Sequence, residues 1–286
     1  MARLAYVNGR YLPLAEAVIP VEDRGNQFAD GVYEVVKRVR GRLIDWDQHC
    51  RRLVRSCEAI GVELPLTLKG LRAVADHLLR QNRLGEALLY IQVSRGVATR
   101  DHAFPKDTKP SIVMTVRRPR WASPRERQSG VGVVTQRDER WGRCDIKSIA
   151  LLANVLAKQA AVQSQAKEAW LVTGDGMVRE GSSSNAYIVD KKGRVITHPA
   201  DNHILAGVTR AALLRTLIED GIDVVEEPFH IEAAQNAVEA FMTSTSSWVL
   251  PVVSLDRHPV GVGEVGPITR RAMDLYNAHV ASLTAA

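Results

Sequence analysis

Apolar and polar positions near the start of the chain alternate with a period of two, and turn residues join the runs. AYV, Asn8-Gly9 and RYLPL read as a hairpin, because Asn-Gly supplies the positive φ angles of a tight two-residue turn. Val32 to Val39 is rich in β-branched residues, Arg40-Gly41 turns the chain, and Arg42-Leu43-Ile44 returns as a second hairpin. The period then changes. Cys50, Leu53, Val54, Cys57 and Ile60 recur at three- and four-residue spacing, which predicts a helix over residues 47–60 opened by an Asp cap. A second helix is predicted over 68–84, with strands over 88–94 and 111–116. The polar run RGVATRDHAFPKDTKP between those strands is a long loop of the kind that often carries function.

Residues 117–130, RRPRWASPRERQSG, are polar and basic and hold two prolines, so they form the candidate linker. Beyond it the pattern predicts a strand (131–136), a helix (149–165), strands at 168–173, 184–190 and 194–197, and a helix at 208–220. Strands at 222–226 and 239–243 and a last helix over 267–282 complete the list of elements. Helices mixed with hairpin-like strands in both halves favour two α+β domains over one doubly wound parallel sheet. The expected division is a smaller N-terminal domain at 1–117, a linker at 118–130 and a larger C-terminal domain at 131–286. No glycine-rich dinucleotide or P-loop motif is present, which removes the Rossmann and P-loop enzymes.

Composition narrows the class. At 286 residues, with 45% hydrophobic and 24% charged, the chain reads as a soluble globular protein able to bury a core without disulfide or metal staples. Cys50, Cys57 and Cys144 form no CxxC and are odd in number, so reduced thiols in the cytoplasm are expected. MARLAYVNGR lacks the apolar stretch of a signal peptide, and no run is long enough to span a membrane. A pI near 9.4 raises nucleic acid as a partner. Basic residues interleaved with acids along the whole chain argue against it.

Five segments carry candidate chemistry, and each also has a plain structural reading. Lys147, one of nine lysines, lies just ahead of an apolar helix, where partial burial would free its amine for attack on a carbonyl; a solvated lysine at a helix start fits the same spacing. Arg179-Glu180-Gly181-Ser182-Ser183-Ser184-Asn185 offers a carboxylate for a cationic ring nitrogen and small residues that let a ligand approach backbone, or is a flexible serine-rich loop. Leu205-Ala206-Gly207-Val208-Thr209-Arg210 opens a helix whose amides suit a phosphate, or is a loop with a Thr cap. Thr243-Ser244-Thr245-Ser246-Ser247 could ligate that phosphate or form a turn. Arg100 and His102, two apart in the long loop, could face one carboxylate or remain solvated. No metal-ligand spacing, HExxH or GxSxG motif occurs, so no metal is expected.

The order of these segments resembles the fold-type IV pyridoxal-phosphate enzymes. CDIKS, EGSSSN, GVTR and TSTSS follow one another as in that family, and EDRGNQFADGVYEVVK and RGVATRDHAFP extend the likeness over nearly the whole chain. The resemblance implies a two-domain α+β fold with pyridoxal 5′-phosphate between the domains. It implies Lys147 as the Schiff-base and proton-transfer lysine and Glu180 as the partner of the pyridine nitrogen. It implies Arg52, Val208, Thr209, Ser244 and Thr245 at the phosphate. Tyr33, Arg100 and His102 then resemble the substrate-binding set of the D-amino acid aminotransferases, with Arg100 and His102 supplied by the neighbouring subunit of a homodimer. The implied reaction is ping-pong transfer of an amino group from a D-amino acid to 2-oxoglutarate or pyruvate. Branched-chain L-aminotransferase, R-amine transaminase and aminodeoxychorismate lyase activities share the fold and stay open at this point.

Overall fold

The computed structural model describes residues 3–119 and 121–285; Arg120, inside the expected linker, and the chain ends Met1, Ala2 and Ala286 lie outside the described residues. The chain forms two compact units. Residues 1–119 and 146–150 make the first, and residues 120–145 and 151–286 the second.

The first unit opens with strands β1 (Leu4–Val7) and β2 (Arg10–Pro13), followed by a short helix α1 (Arg24–Phe28). Strands β3 (Gly31–Val39) and β4 (Arg42–Leu43), helices α2 (Trp46–Ala59) and α3 (Leu68–Gln81), and strands β5 (Ala87–Ser94) and β6 (Ser111–Arg117) complete it. The six strands form one antiparallel sheet in the order β2-β1-β6-β5-β3-β4. Both predicted hairpins are present. Their turns use paired positive φ angles, at Asn8 and Gly9 (45° and 91°) and at Arg40 and Gly41 (46° and 83°). The predicted stripe of α2 buries Cys50, Leu53 and Cys57 against Val32 and Val36 of β3. The Asp cap is a correction. Asp45 is the N-cap residue, but its left-handed backbone (φ 50°) makes no side-chain cap bond, whereas a capping side chain works from extended backbone. Asp47 lies inside the first turn, where its charge still suits the helix dipole.

The second unit holds α4 (Pro124–Ser129), β7 (Val131–Arg137), α5 (Leu152–Gln163), β8 (Glu168–Val172), β9 (Met177–Gly181), β10 (Asn185–Val189) and β11 (Val195–Thr197). After these come α6 (Val208–Glu219), β12 (Val224–Glu226), β13 (Phe229–His230), α7 (Ile231–Gln235), β14 (Glu239–Ser244), β15 (Trp248–Leu255), β16 (His258–Pro259) and α8 (Pro267–Thr284). Its ten-stranded sheet runs β12-β11-β10-β14-β15-β7-β8-β9-β13, with β16 on β15, and is mixed: β11–β12, β15–β7 and β7–β8 are parallel pairs. Side chains alternate across β7 and β8. Val133 and Trp170 enter the larger core, while Val134, Ala169 and Leu171 pack under Ala157 and Ala161 of α5. The outer side of α5 leaves Leu152, Val155, Leu156 and Val162 exposed.

Helices α1 and α7 and strands β9, β13 and β16 were not predicted, and two further segments depart from the sequence reading. Residues 124–129 of the expected linker are helical, because Ser123 and Glu126 close a capping box and Pro124 starts the helix. Strand β15 was not predicted, and it is a central strand although it holds Pro251, a residue more often kept to edges. It is tolerated because Pro251 pairs only with β14, and the β7 ladder begins one residue later at Val252. Among the described residues no helix is long and apolar enough to cross a membrane, and no cluster of side chains could hold a metal ion.

A buried ion cluster crosses from β3 to α2. Glu34 accepts Arg52 Nε at 2.6 Å and Nη2 at 2.9 Å, and His49 Nδ1 lies 2.7 Å from its Oε2. Burial alone would raise the Glu34 carboxyl pKa, but Arg52 and His49 outweigh it and hold the pKa well below the usual carboxylate range. A depressed folded pKa stabilises above the unfolded value of about 4.3, and that contribution is lost as pH falls through the folded value. Glu34→Gln should therefore lower the urea unfolding free energy at pH 7 by about 2–4 kcal/mol, with the gap to wild type narrowing as pH drops below that range. A gap that stays constant with pH would contradict the ion pair's role.

Candidate functional site

Lys147 is held by its backbone. Its carbonyl accepts the Tyr33 N–H at 2.9 Å, Ile149 N–H donates to the Gly31 carbonyl at 3.1 Å, and Val32 and Ser148 form an antiparallel bridge. The Lys147 N–H reaches Ser56 Oγ on α2 at 3.4 Å. Residues 146–150 thus lie as a strap along the start of β3. Glycine at 31 permits the close approach, since a Cβ there would sit 2.7 Å from the Val93 carbonyl oxygen and 3.0 Å from Ile149 Cδ1. With the backbone pinned, the amine moves only through side-chain torsions. It lies 4.3 Å from the centroid of the Tyr33 ring, within cation–π reach. Tyr90 flanks Tyr33 on the same face, with ring centroids 5.6 Å apart.

Arg52 was expected at the cofactor phosphate and Tyr33 in the substrate pocket. Strand alternation turns Tyr33 to one face of β3 and Glu34 to the other, where Arg52 binds it. Two donors of the Arg52 fork are therefore committed to Glu34.

In the second unit Glu180 ends β9 with its carboxylate gripped by donors. Arg140 Nη1 donates at 2.5 Å, Asn185 Nδ2 at 3.0 Å, and the Leu205 N–H at 3.1 and 3.2 Å to the two oxygens. Arg140 is itself chelated by Asp138, at 2.9 Å from both Nε and Nη2. Burial disfavours charge on Arg140, but the bonds to Asp138 and the Glu180 carboxylate more than offset this and raise its pKa above the usual range. Asp138 is shifted the other way: burial would raise its pKa, and Arg140 pulls it below the usual value.

Asn185 links this carboxylate to the head of α6. It also donates to the Leu205 carbonyl at 2.9 Å, and its Oδ1 lies where a Cβ on Gly207 would intrude, at 2.2 Å. Gly207 is the N-cap of α6 and carries no side-chain cap, so the first-turn amides at Val208 and Thr209 are not served by a capping side chain. Register places Thr243 of β14 opposite Asn185. Within the run 243–247 the hydroxyls have different duties. Thr243 Oγ1 is buried against the Tyr187 hydroxyl at 3.0 Å, and Ser244 Oγ accepts the Ser247 N–H at 3.1 Å. The start of the twelve-residue helix α6 presents amides without a side-chain cap.

The hydroxyls of the serine run 182–184 turn toward buried Glu168. Ser183 Oγ lies 2.7 Å and Ser184 Oγ 3.2 Å from Oε2, and Ser182 Oγ bonds Oε1. Glu168, Asp138 and Arg140 were not singled out from sequence. The pair Asp138-x-Arg140 was readable as a local ion pair, but its tie to Glu180, forty residues away, was not.

Arg100 and His102 stand exposed on the long loop of the first unit, both against Phe28: the Arg100 guanidinium carbon is 4.5 Å from that ring's centroid, and the His102 ring 5.3 Å. The three cysteines are buried free thiols, and burial raises them to about 12 at Cys50 and Cys57 and about 11 at Cys144, so they remain protonated and unreactive near neutrality.

Comparison with known proteins gives a consistent result. Residues 31–255 match the amino-transferase class IV family. A D-alanine aminotransferase of Staphylococcus haemolyticus is 39% identical over 277 residues, 97% of this chain and 98% of that protein. One of Bacillus licheniformis is 38% identical over 281 residues, 97% of each. Among solved structures, the branched-chain amino acid aminotransferase of Escherichia coli shares the fold with a TM-score of 0.90 at 20% identity, covering 97% of this chain and 94% of that one. A hypothetical aminotransferase of Mycobacterium tuberculosis in its PLP-bound form gives 0.82 at 20% identity, covering 98% and 99%.

Removing the Arg140 guanidinium takes a cation from the buried Glu180 carboxylate and from half-buried Asp138. Arg140→Met is expected to cost about 3–5 kcal/mol in urea unfolding at pH 7, the penalty of leaving a buried charge without its partner. A loss under about 1 kcal/mol would show that Glu180 is held by Asn185 and Leu205 alone.

Proposed function

The chain belongs to the amino-transferase class IV family and is a pyridoxal-phosphate-dependent aminotransferase, and from that premise we propose that it moves the amino group of a D-amino acid such as D-alanine to a 2-oxo acid. The observation that carries the donor class is the near full-length likeness to D-alanine aminotransferases. Arg100 and His102, together on one loop, support it.

The cofactor supplies an electron sink for negative charge at the substrate Cα when bound. The donor sets fit such a group: a pinned lysine amine, a gripped carboxylate, and a helix end without a side-chain cap. Lys147 is assigned to attachment, and its Nζ, once released, to carrying the proton taken from Cα. Glu180 is assigned to the ring nitrogen, with Arg140, Asn185 and the Leu205 amide fixing its orientation. The Val208 and Thr209 amides, the Ser244 and Thr245 hydroxyls and Arg52 are assigned to the phosphate, the Arg52 fork being aligned by Glu34. Tyr33 lines the substrate side of the Lys147 amine. Arg100 and His102 bind the substrate carboxylate, which decides the face of Cα that meets Lys147. The two half-reactions share one site in turn, so the donor leaves as a 2-oxo acid before the acceptor enters.

The working form is proposed to be a cytoplasmic homodimer in which Arg100 and His102 of one subunit serve the other. The exposed apolar row of α5 supports a subunit contact, and three buried thiols suit a reducing compartment.

Borohydride treatment of the yellow holoenzyme should fix the cofactor to Lys147, and peptide mapping of the adduct to another lysine would sink the assignment. In a substrate panel, D-alanine plus 2-oxoglutarate should give D-glutamate. Much faster turnover of L-leucine, or pyruvate release from aminodeoxychorismate, would replace the D-amino acid reading. Service between subunits has its own test. Mixing Lys147→Ala and Arg100→Ala chains should form heterodimers in which one site has both residues intact, restoring the wild-type KM for D-alanine. If the mixture keeps the raised KM of Arg100→Ala, the residues act within their own subunit.

A further inference from the structure

The loop that carries Arg100 and His102 has no strand pairing of its own beyond a single bridge between Val97 and Asp23. It is held instead through one carboxylate and two arginines. Asp30 accepts Arg24 Nε at 2.8 Å, and Arg95 at 2.7 Å from Nε and 3.0 Å from Nη2. Burial would raise the Asp30 pKa, but Arg95 and Arg24 pull it below the usual carboxylate value, so it is charged at neutral pH. Each arginine then directs its remaining donors to carbonyls. Arg24, 3% exposed, donates to the Asp101 carbonyl at 2.5 Å and the His102 carbonyl at 3.3 Å. Arg95 donates to the Ile60 and Gly61 carbonyls at the end of α2, and its guanidinium lies 3.6 Å from the centroid of Phe104.

The loop is therefore gripped at its stem by Arg95 and at 101–102 by Arg24, which holds backbone and leaves the two side chains of Arg100 and His102 unencumbered. Phe28, four residues after Arg24 on the same short segment, gives Arg100 a flat seat at 4.5 Å. Among the described residues Arg100 has no carboxylate partner, so its cation is directed by an aromatic face and is not neutralised.

We propose that Asp30, Arg24, Arg95 and Phe28 are positioning residues that set Arg100 and His102 in the geometry for receiving a substrate carboxylate. The proposal rests on the reading of Arg100 and His102 as the carboxylate-binding pair. None of the four touches substrate. Their effect is to prepay the ordering of a loop that would otherwise lose binding energy each time a substrate enters.

The test uses the holoenzyme with D-alanine as donor and single variants Arg24→Lys, Phe28→Leu and Arg100→Ala, plus Phe28→Leu in the Arg100→Ala background. Phe28 is half-buried and carries no ion pair, so its variant should fold even if changes at Arg24 do not. Phe28→Leu should raise KM for D-alanine about tenfold with a smaller change in kcat, as expected for weakened binding of a remote group. It should add less than about twofold once Arg100 is gone, because coupled residues are not additive. Hydrogen exchange of the amides at 98–104 should quicken in Arg24→Lys while β5 stays protected. Unchanged KM in Phe28→Leu, full additivity with Arg100→Ala, or unchanged exchange at 98–104 would each overturn the proposal. If Arg100→Ala itself leaves KM unaltered, the carboxylate reading falls and this proposal with it. If Arg100→Ala raises KM while Phe28→Leu does not, this proposal alone fails.

Discussion

A carboxylate taken out of water must find donors, and that requirement organises both units. Glu34 recruits Arg52 and His49 from α2 and so sets how that helix lies on β3. Asp30 recruits Arg24 and Arg95 and so ties a long loop to its stem. Glu180 recruits Arg140, Asn185 and the Leu205 amide and so joins the end of β9 to the segment leading into α6. Glu168 recruits a row of serine hydroxyls. Such clusters add little net stability over well-packed apolar groups, because desolvation offsets most of the attraction. What they impose is direction, since a guanidinium fork accepts few arrangements of partners.

That distinction bears on the site. The groups assigned to the cofactor are held less by packing than by hydrogen bonds from neighbours with no direct part in the chemistry. Lys147 is pinned through backbone bonds to Gly31 and Tyr33, which leaves the amine mobile while its root is fixed. Glu180 is the reverse case, a side chain clamped at both oxygens. A group that must swing and a group that must not are anchored at opposite ends.

Local features were legible in the sequence, and distant ones were not. The Asn8-Gly9 and Arg40-Gly41 hairpins and the α2 stripe depend on residues within one turn or one helix, and they were readable for that reason. The helix at 124–129 was locally encoded too, in Ser123 and Glu126, but two prolines and a dense basic charge outweighed the capping box. Strand β15 was not predicted; Pro251 sits in it where it pairs with β14 and the β7 ladder has not yet begun. Lys147 and Glu180 stood out through the order of motifs along the chain, since the spacing around each also fits an ordinary surface residue. The tie of Arg140 to Glu180, the serine bonds to Glu168 and the tie of Arg95 to Asp30 escaped because the fold brings these partners together.

The strap at residues 146–150 belongs to the first unit although it is encoded after the first strand of the second. During synthesis, residues 1–119 leave the ribosome with Gly31 and Tyr33 still lacking their backbone partners at Ile149 and Lys147. The edge they offer is closed only after residues 146–150 have been made, and joining them closes a loop of over a hundred residues at an entropic cost that grows slowly with length. The reactive amine and the last stitch of its own unit are thus delivered by the same five residues, so a nascent chain that has not reached residue 146 carries neither.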